Sequence, residues 1–152
     1  MIRMSRLADY GVVVMTHIAN RADVLLSGPE IAADLKLPAP TVSKVLKSLG
    51  QAGLLTSYRG VKGGYALAMG PEEISVADII AAVEGPIALT ECIDDAPGAC
   101  GIESFCPTRR NWRIINDVVR DALSRVSLAE MMSPFPAFFA KNASAGRERP
   151  LA

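Results

Sequence analysis

Cys92, Cys100 and Cys106 are the only thiols in the chain, and all three fall in one stretch, ECIDDAPGACGIESFCPTRRNW, residues 91–112. Iron-sulfur cores are held mainly by cysteine thiolates, whose sulfur is soft enough to bind iron strongly. Intervals of seven and five residues, in a segment that also holds Pro97, Gly98 and Gly101, allow one loop to fold three sulfurs around a single inorganic core. Three ligands leave one coordination position open, and such a core is easier for oxygen, nitric oxide or iron scarcity to dismantle than one closed by four thiolates. The surrounding Glu91, Asp94, Asp95 and Glu103 discourage thiolate formation in the metal-free chain, so binding iron relieves repulsion as well as satisfying ligands. Zinc is the competing metal, since three thiolates with an Asp or His can bind it tetrahedrally. Its structural sites usually contain Cys-x-x-Cys pairs, however, and this chain has none. Reduced cysteines with no metal, and a small iron-sulfur electron-transfer protein, are the other readings of the same residues.

The elements that must position these thiols are bounded by composition. The chain has 152 residues, half of them apolar, which suits one compact domain with one appended element. No apolar run approaches the roughly 18 residues of a membrane helix, and the N-terminus lacks a signal-peptide pattern. A cytoplasmic protein with no membrane partner is expected. An odd cysteine count cannot close into pairs within one chain, so a disulfide framework is not. Sixteen bases balance sixteen acids, but the signs are segregated. Residues 1–68 carry eight Lys/Arg against four Asp/Glu, residues 69–106 carry eight acids and no base, and residues 107–152 again carry eight bases against four acids. From Leu35 to Pro71 there is no acid, while Lys36, Lys44, Lys47, Arg59 and Lys62 all lie there. A stretch of this kind suits a polyanion, or forms a solvated basic face.

Leu7, Tyr10, Gly11, Val14 and Ile18 recur at helical spacing and predict a first helix over 5–20. Ser27 with Glu30 three residues later forms a capping box that opens a short second helix. Leu37-Pro38-Ala39-Pro40 interrupts it, because an interior proline removes a hydrogen bond and clashes with the preceding turn. Pro40 is tolerated in the first turn of a third helix whose inner face is Val42, Val45, Leu46 and Leu49, with Gly53 as its left-handed stop. Two short helices about a tight turn, with Thr41, Ser43, Lys44, Lys47 and Ser48 outward on the second, match a helix-turn-helix. Next, LLTSYRGVKGGYALAM reads as two strands, 55–59 and 64–68, joined by a turn carrying Arg59, Gly60 and Lys62. A basic hairpin directly after a recognition helix lets an arginine reach the minor groove while the helix occupies the major groove. Double-stranded operator DNA is the expected partner.

Ser75 and Asp78 cap a fourth helix that Gly85-Pro86 stops. Beyond the cysteines, a helix beginning near Pro107 places Trp112, Ile115, Val119, Ala122 and Val126 at alternating steps of three and four, with Val118 and Leu123 widening the seam. That stripe packs on its own domain or, as a palindromic operator favours, against a second copy in a homodimer. Ser127 and Glu130 cap one further turn, and 133–152 read as a mobile tail. The expected fold is mainly α with a small β-hairpin. It divides into a winged helix-turn-helix domain (1–84), a cysteine-containing loop (85–107), a dimerisation helix with a final turn (108–132) and the tail.

These features together, the wing RGVKGGYALA, the ISVADII segment, three cysteines and a helix opening near CPTRRNW, resemble the IscR/NsrR-type family of iron-sulfur regulators over about residues 2–132. The opening RMSRLADYGVVVMTHIA is most similar to the subgroup that regulates the SUF cluster-assembly operon, and the cysteine intervals are similar to those of RirA-type iron regulators. The resemblance implies a homodimeric repressor of cluster-assembly or iron-homeostasis genes. Its operator affinity would change when a 2Fe-2S or 4Fe-4S cluster on Cys92, Cys100 and Cys106 is gained or lost; a nitric-oxide or redox-sensing repressor is the alternative within the family. Where IscR-like members have a histidine ligand, this chain has Arg109, which offers no lone pair. NsrR-like members use a first-helix carboxylate from the partner subunit, and Asp9 stands at that position; an exposed charge in the first turn is its other reading. His17, eight residues on and about 80° round the same helix, reads as a half-buried helix residue rather than a ligand. Arg59 followed by Gly60 matches the family's wing arginine. Ser43 replaces the glutamate with which IscR-like members separate two operator classes, so a simpler on/off repressor fits. No phosphate loop, Ser/His/Asp set or Cys/His pair is present, and neither an enzyme nor a small-molecule substrate is expected.

Overall fold

The computed structural model describes residues 2–93 and 100–132. The expected tail 133–152, and Asp94, Asp95, Pro97 and Gly98 of the cysteine loop, lie outside the described residues. The N-terminal half folds as α1 (Arg6–Ala19), α2 (Gly28–Leu35) and α3 (Ala39–Gln51). Ser5 caps α1: its hydroxyl accepts the Ala8 N–H at 3.0 Å and donates to Glu84 on a neighbouring helix. At α2 the Ser27 N–H donates to Glu30 Oε2 at 2.8 Å, while the Glu30 N–H donates to Ser27 Oγ at 3.4 Å. α2 ends at Lys36, held at φ +53° so that the Leu37 N–H closes onto Ala32 O at 3.0 Å. Pro38 and Pro40 flank the start of α3, and Gly53, at φ +78°, ends it.

The hairpin pairs β1 (Leu55–Tyr58) with β2 (Gly64–Leu67) in antiparallel register, Leu55 opposite Leu67 and Tyr58 opposite Gly64. Each strand stops one residue short of its sequence-based end. Leu26 adds a single rung, donating to Tyr65 O at 3.3 Å and accepting the Tyr65 N–H at 2.8 Å. That rung lies so close that a Cβ on Gly64 would stand 2.8 Å from the Leu26 backbone. The hairpin is thereby tied to the connection between α1 and α2.

α4 (Val76–Glu84) has its own capping box, the Ser75 N–H donating to Asp78 Oδ2 at 2.9 Å and the Asp78 N–H to Ser75 Oγ at 3.1 Å. α5 (Arg109–Ser124) and α6 (Leu128–Met132) complete the described chain, with a 3-10 turn at Glu103–Phe105 before them. One buried core joins Val14, Met15 and Ile18 of α1, Ile31 of α2, the inner face of α3, Ile74, Ile79 and Leu128. A smaller cluster gathers Ala8, Val76 and Ile80, with Ile87, Leu123 and Val126 against it. Burying each large aliphatic side chain here contributes about 1.5–3 kcal/mol.

The stripe expected on α5 is corrected by this packing. α5 ends at Ser124, so Val126 does not continue the seam. Its carbonyl accepts the Val76 N–H at 2.9 Å, and the Leu128 N–H donates to Ile74 O at 2.7 Å. Tertiary pairing with the start of α4 therefore replaces the last helical turn. Val119 is half-buried toward its own domain and Ala122 is exposed, while Ile114, Ile115 and Val118 are 56%, 44% and 64% exposed. The outward apolar face of α5 thus lies on Ile114, Ile115 and Val118, rotated from the predicted stripe. Trp112, at 39% exposure, sits at its margin.

Gly11 marks where α1 and α4 touch: a Cβ there would lie 3.0 Å from Val83 Cγ2 and 3.3 Å from Ile79 Cγ2. A full side chain has no room in that contact. Gly11→Leu is expected to lower the urea unfolding free energy by about 1–3 kcal/mol, and unchanged unfolding would refute this packing.

Candidate nucleic-acid interface and thiol segment

Burial of Val42, Val45, Leu46 and Leu49 sets the rotation of α3, because a helix cannot turn its apolar stripe inward without turning the opposite face to water. Ser43, Lys44 and Lys47 are exposed as a result, with Thr41 and Ser48 half-buried beside them. The hairpin turn carries Arg59, Gly60 and Lys62, all exposed; Gly60 holds φ +111°, and the Gly63 N–H closes the turn onto Gly60 O at 3.0 Å. Ion pairs elsewhere join Arg21 to Asp34, Arg109 to Glu103 and Arg120 to Asp117. Among the described residues none involves Lys36, Lys44, Lys47, Arg59 or Lys62. All five are exposed and without an acidic partner among the described residues, as a site for a polyanion would need. Lys36, exposed in the turn between α2 and α3, holds a left-handed conformation that is rare for a residue other than Gly or Asn.

The thiols are set differently. Cys92 is buried, with Thr90 Oγ1 at 3.3 Å, whereas Cys100 and Cys106 are half-buried; all three are free. Thr108 Oγ1 lies 3.4 Å from Cys106 Sγ. Contrary to the expectation from the surrounding acids, a hydrogen bond from the Thr108 hydroxyl holds the Cys106 thiol below its ordinary pKa, reinforced by the Thr108 backbone N–H and, more weakly, by Arg109. No three His, Cys, Asp or Glu side chains come together in a metal-holding group among the described residues. The donor chemistry still fits a thiolate-bound iron centre, with three free thiols on one segment and one of them biased toward thiolate.

Asp9 is exposed in the first turn of α1, where a carboxylate complements the helix dipole. His17 Nε2 lies 3.1 Å from Asp34 Oδ2, which also accepts from Arg21 at 2.9 Å, so the only histidine is engaged between α1 and α2. Arg109 is ion-paired with Glu103 across the 3-10 turn. Sequence reading missed Asn116, the one buried polar residue of α5, at 2% exposure. Its Oδ1 accepts the Leu89 N–H at 2.9 Å and its Nδ2 donates to Ile87 O at 3.0 Å. On a polar helix an asparagine carries no mark of burial, and no signal within the sequence singles it out.

Comparison with known proteins fits this geometry. The family model Rrf2, described as an iron-dependent transcriptional regulator, matches residues 4–134. The HTH-type transcriptional regulator CymR of Bacillus subtilis is 30% identical over 87% of this chain and 91% of its own. The HTH-type transcriptional regulator IscR of Vibrio cholerae is 29% identical over 86% and 75%. Among solved structures, CymR of B. subtilis, named there a global cysteine regulator, superposes with a TM-score of 0.68 over 87% of this chain and 97% of that one, at 30% identity. IscR of T. potens superposes with a TM-score of 0.65 over 99% and 94%, at 26% identity.

The Thr108 bond has a direct consequence for reactivity. Since the thiolate is the nucleophile, Thr108→Val should move the pH midpoint of Cys106 alkylation by iodoacetamide upward and slow the reaction at neutral pH in metal-free protein. An unmoved midpoint would show that the hydroxyl does not set this thiol.

Proposed function

We infer the function from a premise now in hand: this chain belongs to the Rrf2 family of transcriptional regulators. It is a DNA-binding regulator, and the relatives it resembles are named as regulators rather than enzymes. In our reading residues 1–84 form the DNA-reading head. α3 enters the major groove with Thr41 and Ser43 toward base edges or phosphates and Lys44 and Lys47 on phosphates, while Arg59 and Gly60 of the hairpin reach the adjacent minor groove beside Lys62. The observation that carries this is the set of exposed cations on α3 and the hairpin, none of them ion-paired among the described residues.

Two heads are joined in a homodimer through the outward face of α5, by Trp112, Ile115 and Ala122 together with Ile114 and Val118, because a two-fold operator needs two heads at fixed spacing. Cys92, Cys100 and Cys106, with Asp9 of the second copy as fourth ligand, hold an iron-sulfur cluster. When bound, the cluster supplies a linkage between thiolates that iron scarcity or oxidants dissolve. The chain's part is mechanical: residues 85–107 join α4 to α5, so drawing three thiols together constrains the angle at which the heads are presented. In our reading the genes it represses are those of SUF-type cluster assembly or iron homeostasis, a choice that rests on the family resemblance alone. A second reading, direct redox sensing by the thiols, is favoured by the hydrogen-bonded and half-exposed Cys106.

Two variants test these assignments. Arg59→Ala is expected to weaken binding to the gene's own promoter and to reduce the slope of log affinity against log salt by about one; an unaltered slope counts against the wing. Cys100→Ala should abolish the visible absorption of anaerobically purified protein and change promoter affinity. A full cluster spectrum in that variant would remove Cys100 from the ligand set, whereas a colourless, iron-free wild type whose affinity follows thiol oxidation would establish the second reading.

A further inference from the structure

A buried amide on an otherwise polar helix needs a reason. Asn116 is 2% exposed, and both ends of its carboxamide are used on one short segment, accepting from Leu89 and donating to Ile87. Those bonds span 27 and 29 residues of sequence. The segment they grip leaves α4 at Gly85 and reaches buried Cys92 three residues beyond Leu89. Ile87, one end of the clamp, packs with Ala8 of α1 and Val76 and Ile80 of α4. The same small cluster receives Leu123 and Val126 from the end of α5. A single side chain therefore joins three bodies: the stretch that delivers the first thiol, the helix that carries the outward apolar face, and the base of the DNA-reading head.

We propose that Asn116 is the positioning residue through which a change at Cys92 is felt by α5 and α4, its carboxamide clamping residues 87–89 so that the thiol segment cannot shift without moving the helix it is bonded to. This rests on the reading that thiol-bound cluster and operator affinity are linked. Without the clamp, residues 86–92 are a slack connector that absorbs movement of the thiols locally. With it, the displacement passes to α5, because breaking the link would leave a buried carboxamide and two backbone groups without partners.

The experiment compares wild type, Asn116→Leu, which removes both bonds, and Asn116→Asp, which keeps the acceptor for Leu89 and loses the donor to Ile87. In metal-free protein, iodoacetamide should label Cys92 faster in Asn116→Leu, with Cys100 and Cys106 unchanged. In anaerobically reconstituted protein, Asn116→Leu should keep the visible cluster spectrum and the cluster-free affinity for the gene's promoter. The ratio of affinities with and without cluster should fall toward one, a loss of roughly fivefold or more. Asn116→Asp should lie between. If Asn116→Leu fails to fold, Asn116→Asp carries the same comparison. A wild-type ratio preserved in both variants overturns the clamp and leaves the sensor reading standing. A wild-type ratio of one overturns both.

Discussion

Four buried side chains on one helix set which way its basic face points. Val42, Val45, Leu46 and Leu49 are each at most 1% exposed, and they lock α3 against α1, α2 and α4. Each contributes about 1.5–3 kcal/mol of burial, and none can be kept inside if α3 rotates by even a quarter turn. Ser43, Lys44 and Lys47 are therefore not free to choose their direction. The hairpin obeys the same constraint, because Leu54 and Leu55 belong to that core and Leu26 pins Tyr65 from the other side. The directions of the basic residues on α3 and in the turn are set by apolar contacts behind them, and these cations, without an acidic partner among the described residues, stand in water.

A second arrangement starts where that core stops. Gly85 ends α4, and the chain runs beside α5 toward the thiols before returning through Val126 to the start of α4. Apolar contact is sparser here: among the described residues Ala8, Val76 and Ile80 are the buried members of this cluster, with half-buried Val12, Ile87, Leu123 and Val126 against them. Direction is supplied instead by backbone pairing at Val76 and Leu128 and by the Asn116 carboxamide. A region held by a few directional bonds opens at lower free energy than a packed core.

The parts most legible in the sequence were those decided within a few residues. Ser27 with Glu30 and Ser75 with Asp78 are reciprocal caps whose partners lie three positions apart, and both form as written. The hairpin ends were legible to within one residue, since the glycines that allow its turn are local too. Along α5 the same reasoning reached further than its warrant. Alternating steps of three and four identify an apolar helix but not which neighbour claims each residue. Val119 turned toward its own domain, Val126 left the helix altogether, and Ile114 and Val118 became the outward face.

The sequence by itself determined the helix-turn-helix with its hairpin, the acid-free basic segment and the confinement of every thiol to one stretch, because propensity, capping and charge act between residues close along the chain. Only the tertiary structure decided that α5 stops at Ser124, that Cys106 is hydrogen-bonded to Thr108 while Cys92 is buried, and that Asn116 grips a segment 27 residues behind it. Those outcomes depend on which surfaces compete for the same contact once the chain is compact, and that competition is settled by distance in space, which the order of residues does not contain.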